Sequence, residues 1–81
     1  MTNYYMILQP QSIIQIVAAG GGVTIDLNKQ ILLPQTMVQI AAAAAHSGAK
    51  VTFRVGTHIL LPQTMVQVAA AGRGNIVFDI S

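Results

Sequence analysis

The sequence has no cysteine and very little charge. Without cysteine there are no disulfides and no thiolate metal ligands, and thiol usage says nothing about redox compartment. Lys29, Lys50, Arg54 and Arg73 stand against Asp26 and Asp79, for a formal net charge of +2. So weak a field argues against an electrostatic nucleic-acid binder. With two acidic side chains and two histidines, His46 and His58, a metal site or a general acid–base pair has few possible members. No catalytic residue, metal ligand or cofactor is expected.

A long charge-free stretch, residues 1–25, is present, but it is not an apolar run. Gln9, Pro10, Gln11, Gln15 and three consecutive glycines interrupt it, whereas a spanning helix needs about 20 predominantly apolar residues. The first basic residue is Lys29, so no positive segment precedes an apolar core as in a secretory signal. The expectation is a chain that does not insert into membranes, in a cytoplasmic setting. Its 81 residues make one small domain, near the size where roughly 60–65% of the unfolded surface is buried and oligomerisation is a common remedy for marginal stability.

What the sequence does have is repetition. Residues 31–43, ILLPQTMVQIAAA, return as ILLPQTMVQVAAA at residues 59–71, and a more divergent copy begins at residue 7 as ILQPQSIIQIVAAGGG. Pro10, Pro34 and Pro62 each open the pattern Pro-Gln-Ser/Thr-apolar-apolar-Gln-apolar, which passes through alanine and glycine into VTIDLN, VTFRVG or IVFDIS. Duplication at a fixed interval is the mark of a building unit rather than of a catalytic site. The domain therefore divides into repeats at 7–30, 31–58 and 59–81, with residues 1–6 as an N-terminal edge segment.

Each unit is expected to be a helix followed by a strand. Successive residues of the second copy, set about 100° apart, put Met37, Val38, Ile40, Ala41, Ala44 and Ala45 on one side and Gln35, Thr36, Gln39, Ala43 and His46 on the other. Proline suits the first turn, where its missing N–H would have no partner anyway. Leu8 with Ile13, Leu32 with Met37 and Leu60 with Met65 are spaced as hydrophobic staples. In the strands Val23, Ile25 and Leu27 alternate with Thr24, Asp26 and Asn28, and Val51/Phe53/Val55 and Ile76/Phe78/Ile80 repeat the pattern. Consecutive right-handed helix–strand units lay strands side by side in parallel. The predicted architecture is a short α/β solenoid of three helix–strand repeats, one parallel sheet with helices on one face, similar in layout to leucine-rich repeats but without their consensus. Strands stack about 4.8 Å apart and helices about 8–10 Å apart, so alanine-rich helices reduce the mismatch between layers. The second unit is longest from proline to strand, and its extra turn is expected at the helix end.

The glycines at residues 20–22, 48, 72 and 74 follow helices rather than precede them, which places them as left-handed helix stops instead of phosphate cradles. Lys50 and Arg73 are positioned to complement the negative helix ends. His46 and His58 have no repeat-equivalent histidine and are expected to be solvated; the four methionines are expected in the core or at the staples. Asp26, Arg54 and Asp79 occupy the same strand position in successive copies and should form a charged row across the uncovered sheet face. Gln11/Gln35/Gln63 and Gln15/Gln39/Gln67 form two further rows on the outer helix faces, an uncharged surface that leaves room for another protein as partner.

QPQSIIQIVAAGGG at residues 9–22 and LPQTMVQIAAA at residues 33–43 resemble the first helix of repeats in TAL-effector-type DNA-binding proteins. The resemblance implies a DNA-binding repeat protein as the alternative function. It covers the helix of each unit; those repeats continue into a second helix, whereas these continue into alternating strands.

The leading expectation is a non-enzymatic structural or interaction module that self-assembles into a homo-oligomer or filament through open sheet edges, because no polar cap follows the last strand and an exposed edge is a template for pairing. Tyr4, Tyr5, Ile76, Phe78 and Ile80 are the expected interface residues. Direct stacking of the third strand on the next copy's first would set Asp79 against Asp26, so residues 3–7 are expected to form an extra edge strand between them. The competing arrangement is a two-fold dimer of antiparallel 76–80 edges.

Overall fold

A computed structural model describes residues 9–56 and 59–80. Helices α1 (Pro10–Ala18), α2 (Pro34–Ser47) and α3 (Pro62–Gly72) alternate with strands β1 (Val23–Asp26), β2 (Val51–Arg54) and β3 (Ile76–Asp79). The strands form one parallel sheet in the order β1-β2-β3. The architecture is the small α/β fold with a parallel sheet that the alternation of helical and strand patterns predicts.

Each helix begins at its proline, and the residue before it, Gln9, Leu33 or Leu61, is extended. Proline imposes both features: its ring disfavours the helical region for the preceding residue, and its lack of an N–H costs nothing in the first turn. Leu32 and Met37 are both buried at the start of α2, the two ends of a staple; Leu8 lies outside the described residues. The core joins Ile13 and Val17 of α1, Met37, Ile40, Ala41 and Ala44 of α2, and Val68 of α3 to Ile25, Val51 and Phe53 of the sheet. Phe53 stacks on Phe78 of the next strand with ring centroids 5.8 Å apart, so the largest buried side chain also ties β2 to β3.

The helix ends differ from simple glycine stops. Gly48 takes the left-handed position after α2, as expected. After α3 that position is held by Arg73, at φ 50°, because Gly72 is needed one residue earlier: a Cβ there would run into the Ile76 side chain. The extra turn of α2 lies at its C-terminal end and has a structural task. Ser47 Oγ donates to the carbonyl of Val17 at 2.6 Å and accepts from the Ala49 amide at 3.2 Å, capping the last turn of α1 and the exit from α2 together.

Candidate interaction surfaces

Among the described residues, β1 and β3 each pair on one side only, with β2. The amides of Val23 and Leu27 donate to Lys50 and Arg54, and those of Val51 and Val55 donate to Asn75 and Asp79. Since alternate residues of a parallel strand turn their backbone groups to opposite sides, Ile76, Phe78 and Ile80 direct theirs outward from β3, and Thr24 and Asp26 outward from β1. The Asp26 carbonyl is occupied by the turn amides of Lys29 and Gln30, so the β1 edge is blunted at one end. Ile76 and Phe78 are half-buried, whereas Ile80 lies past the end of β3 and is largely exposed. Tyr4, Tyr5, the 3–7 segment and His58 lie outside the described residues.

The helix flanks repeat this openness. Position by position, Ile40 and Val68 are fully buried while their counterpart in the first repeat, Ile16, is 38% exposed. The other flank shows the reverse order: Ile14 and Val38 are half-buried and Val66 is 67% exposed, and Val17 and Ala41 are buried while Ala69 is exposed.

On the uncovered sheet face Asp26, Arg54 and Asp79 stand in one register row. Arg54 Nε lies 3.8 Å from Asp79 Oδ2 in an exposed pair. The backbone N–H of Asn28, 2.9 Å from Asp26 Oδ1, holds the Asp26 carboxyl below its ordinary range, with smaller help from the Asn28 side chain, Arg54 and Lys29 against a desolvation cost. Asn28 also donates from Nδ2 to the carbonyl of Val55, linking the turn after β1 to β2. Gln11, Gln15, Gln35, Gln39, Gln63 and Gln67 are all exposed, as helical phase predicts.

Two features were not anticipated from sequence. Ile31, Leu33, Ile59 and Leu61, in the segments that enter α2 and α3, are between 63 and 86% exposed. Their hydrophobicity alone assigns them to the core; only the chain path turns them out. The second is a groove of about 380 Å³ lined by Ala42, Ala45, His46, Ala71 and Arg73, open because α2 outruns α3. No acidic side chain lines it. Among the described residues no group of His, Cys, Asp or Glu is placed to hold a metal, and no helix is long and apolar enough to cross a membrane. Comparison with known protein families, curated proteins and solved structures finds no match.

Proposed function

We propose that the chain is a non-enzymatic structural module that self-associates head to tail, the trailing flank and β3 edge of one copy meeting the leading side of the next. The observation that carries this proposal is the burial of equivalent positions. In a repeat stack each unit contacts only its neighbours. Ile40 and Val68 are sealed where a repeat precedes them, and Ile16, with none before it among the described residues, is open; Val66 is open on the opposite flank. A following copy would cover Val66 and Ile16 with one joint. The unpaired outward groups of Ile76 and Phe78 add backbone hydrogen bonds to that joint.

Head-to-tail and two-fold association separate by complementation. Ile16→Lys and Val66→Lys each place a charge on one exposed flank, and sedimentation velocity reads the result. Wild-type protein is expected to grow with concentration at tens of micromolar, and each variant to stop growing. Mixed together, the variants retain one intact pair of flanks, and the mixture should form species larger than either variant forms alone. Growth of Ile16→Lys like wild type would favour the antiparallel 76–80 dimer instead, and a wild-type monomer at about 100 μM would remove self-association altogether. Truncation of residues 1–6 in the same assay tests whether that segment takes part.

A further inference from the structure

The loop ridge of Ile31, Leu33, Ile59 and Leu61 is left unused by head-to-tail association, since it lies at the starts of α2 and α3 and not on the flanks of the stack. It is no accident of one loose loop. In each segment the middle leucine turns inward, Leu32 into the core and Leu60 against it, while its two neighbours turn out. The backbone on the C-terminal side of each ridge pair is fixed by the proline that starts the helix. Two aliphatic pairs are thus presented one repeat apart.

We infer that this ridge is a second self-association surface, on which two copies meet about a two-fold axis. Area supports the assignment. Four aliphatic side chains exposed to this degree offer roughly 300–400 Å² of apolar surface. A standard interface uses about 800 Å² per partner, a little over half of it apolar, so the ridge supplies most of the apolar share. Charge supports it too. Among the described residues, the polar neighbours of the ridge in sequence are Gln30, Gln35 and Gln63, and Lys29 and Arg54 balance Asp26 and Asp79, so these groups select neither an acidic nor a basic partner. Spacing decides for a second copy. Because the two pairs recur at the repeat interval, the partner that matches their spacing without further design is an identical ridge turned end for end, Ile31 and Leu33 of one copy against Ile59 and Leu61 of the other. Such a patch is self-complementary, as an isologous interface requires.

The first repeat supplies the test. It carries Gln9 where the others have Leu33 and Leu61, in the same extended conformation before its proline, so Leu33→Gln with Leu61→Gln repeats a residue this fold already accepts. Ile16→Lys protein, in which head-to-tail growth is blocked, should remain a dimer in sedimentation equilibrium. Adding the two Leu→Gln changes should weaken that dimer at least about hundredfold, with an unchanged circular dichroism spectrum. A monomeric Ile16→Lys protein at about 100 μM overturns the inference, as does a dimer indifferent to the Leu→Gln changes. Failure of head-to-tail growth is read separately, since wild-type protein would then itself be the ridge dimer and show the same loss. Flotation with neutral phosphatidylcholine vesicles completes the experiment: binding by monomeric protein that Leu33→Gln and Leu61→Gln abolish would make the ridge a lipid-facing surface and overturn the two-fold contact.

Discussion

Residues 31–43 and 59–71 differ only at Ile40 and Val68, yet the two stretches live in different surroundings. Met37 is fully buried and Met65 half-buried; Ala41 is sealed and Ala69 exposed; Thr36 is half-buried while Thr64 is almost covered. Nothing in the side chains themselves accounts for this. Among the described residues the second repeat has neighbours on both sides and the third on one, so the cover over Met37 and Ala41 is lost at Met65 and Ala69. Stability in such an array is a sum of unit and neighbour terms, and the middle unit collects two neighbour terms.

The comparison breaks or holds most visibly at the position of Ile40 and Ile16. Ile40→Ala removes a fully buried side chain and should cost about 2–5 kcal/mol, enough to unfold much of so small a domain. Ile16→Ala, at the equivalent but partly exposed site, should cost under about 1 kcal/mol in the monomer. Urea titrations of both variants at low protein concentration give the two values. Equal losses would mean that α1 is covered in solution by something beyond its own chain. A loss for Ile16→Ala that grows with protein concentration would identify that cover as another copy.

Much of this was legible because the repeat carries its own register. Three prolines at matching places mark three helix starts, and matching Asp26, Arg54 and Asp79 to one another places them in one row without any knowledge of packing. What was not legible depends on contacts between repeats. Ser47 looks like part of an idle insertion until its hydroxyl is found on the Val17 carbonyl, thirty residues back. Ile31 and Ile59 look like core residues because their composition is apolar, and only the turn of the chain before each proline exposes them. Tyr4 and Tyr5, expected from sequence at an interface, lie outside the described residues, so that expectation stands on sequence alone.

A smaller effect is expected where α3 stops. Gly72 is the counterpart of Ala44, but a Cβ at Gly72 would run into the Ile76 side chain. Gly72→Ala should therefore cost about 1–3 kcal/mol through forced repacking, against the mild benefit an alanine ordinarily brings to a helix. The next residue gives the opposite sign. Arg73 holds a left-handed conformation at φ 50° that glycine adopts freely, and Arg73→Gly should raise stability by about 0.5–1 kcal/mol after the entropy of the unfolded glycine is counted. Thermal melts of the two single variants should move in opposite directions. The same direction for both would mean that α3 does not end with Gly72 packed on Ile76 and Arg73 left-handed.

The smallest effect concerns the joint between copies. Within one chain the charged row alternates as Asp26, Arg54, Asp79, but a direct head-to-tail joint would bring Asp79 beside the next copy's Asp26, and like charges across adjacent strands repel. Asp26 will not relieve this near neutral pH. Its carboxyl is held below the ordinary value of 3.8, chiefly by the Asn28 amide, so it stays ionised through the mildly acidic range. The sign follows from that depression: the Asn28 contact stabilises the folded chain above the ordinary carboxylate value and is lost as pH falls through the lower folded one. Protonating one carboxylate of the joint removes the repulsion, so direct association should strengthen several-fold only as the pH falls below the ordinary carboxylate value of 3.8. Asp79→Asn should give that strengthening already at pH 7 and leave no pH dependence behind, as read from the concentration at which sedimentation velocity first shows species larger than the dimer. If Asp79→Asn changes nothing, the two carboxylates never meet. Truncation of residues 1–6 in the same variant then decides whether that segment keeps them apart, because its removal should make the pH dependence appear in the wild-type row and vanish again with Asp79→Asn.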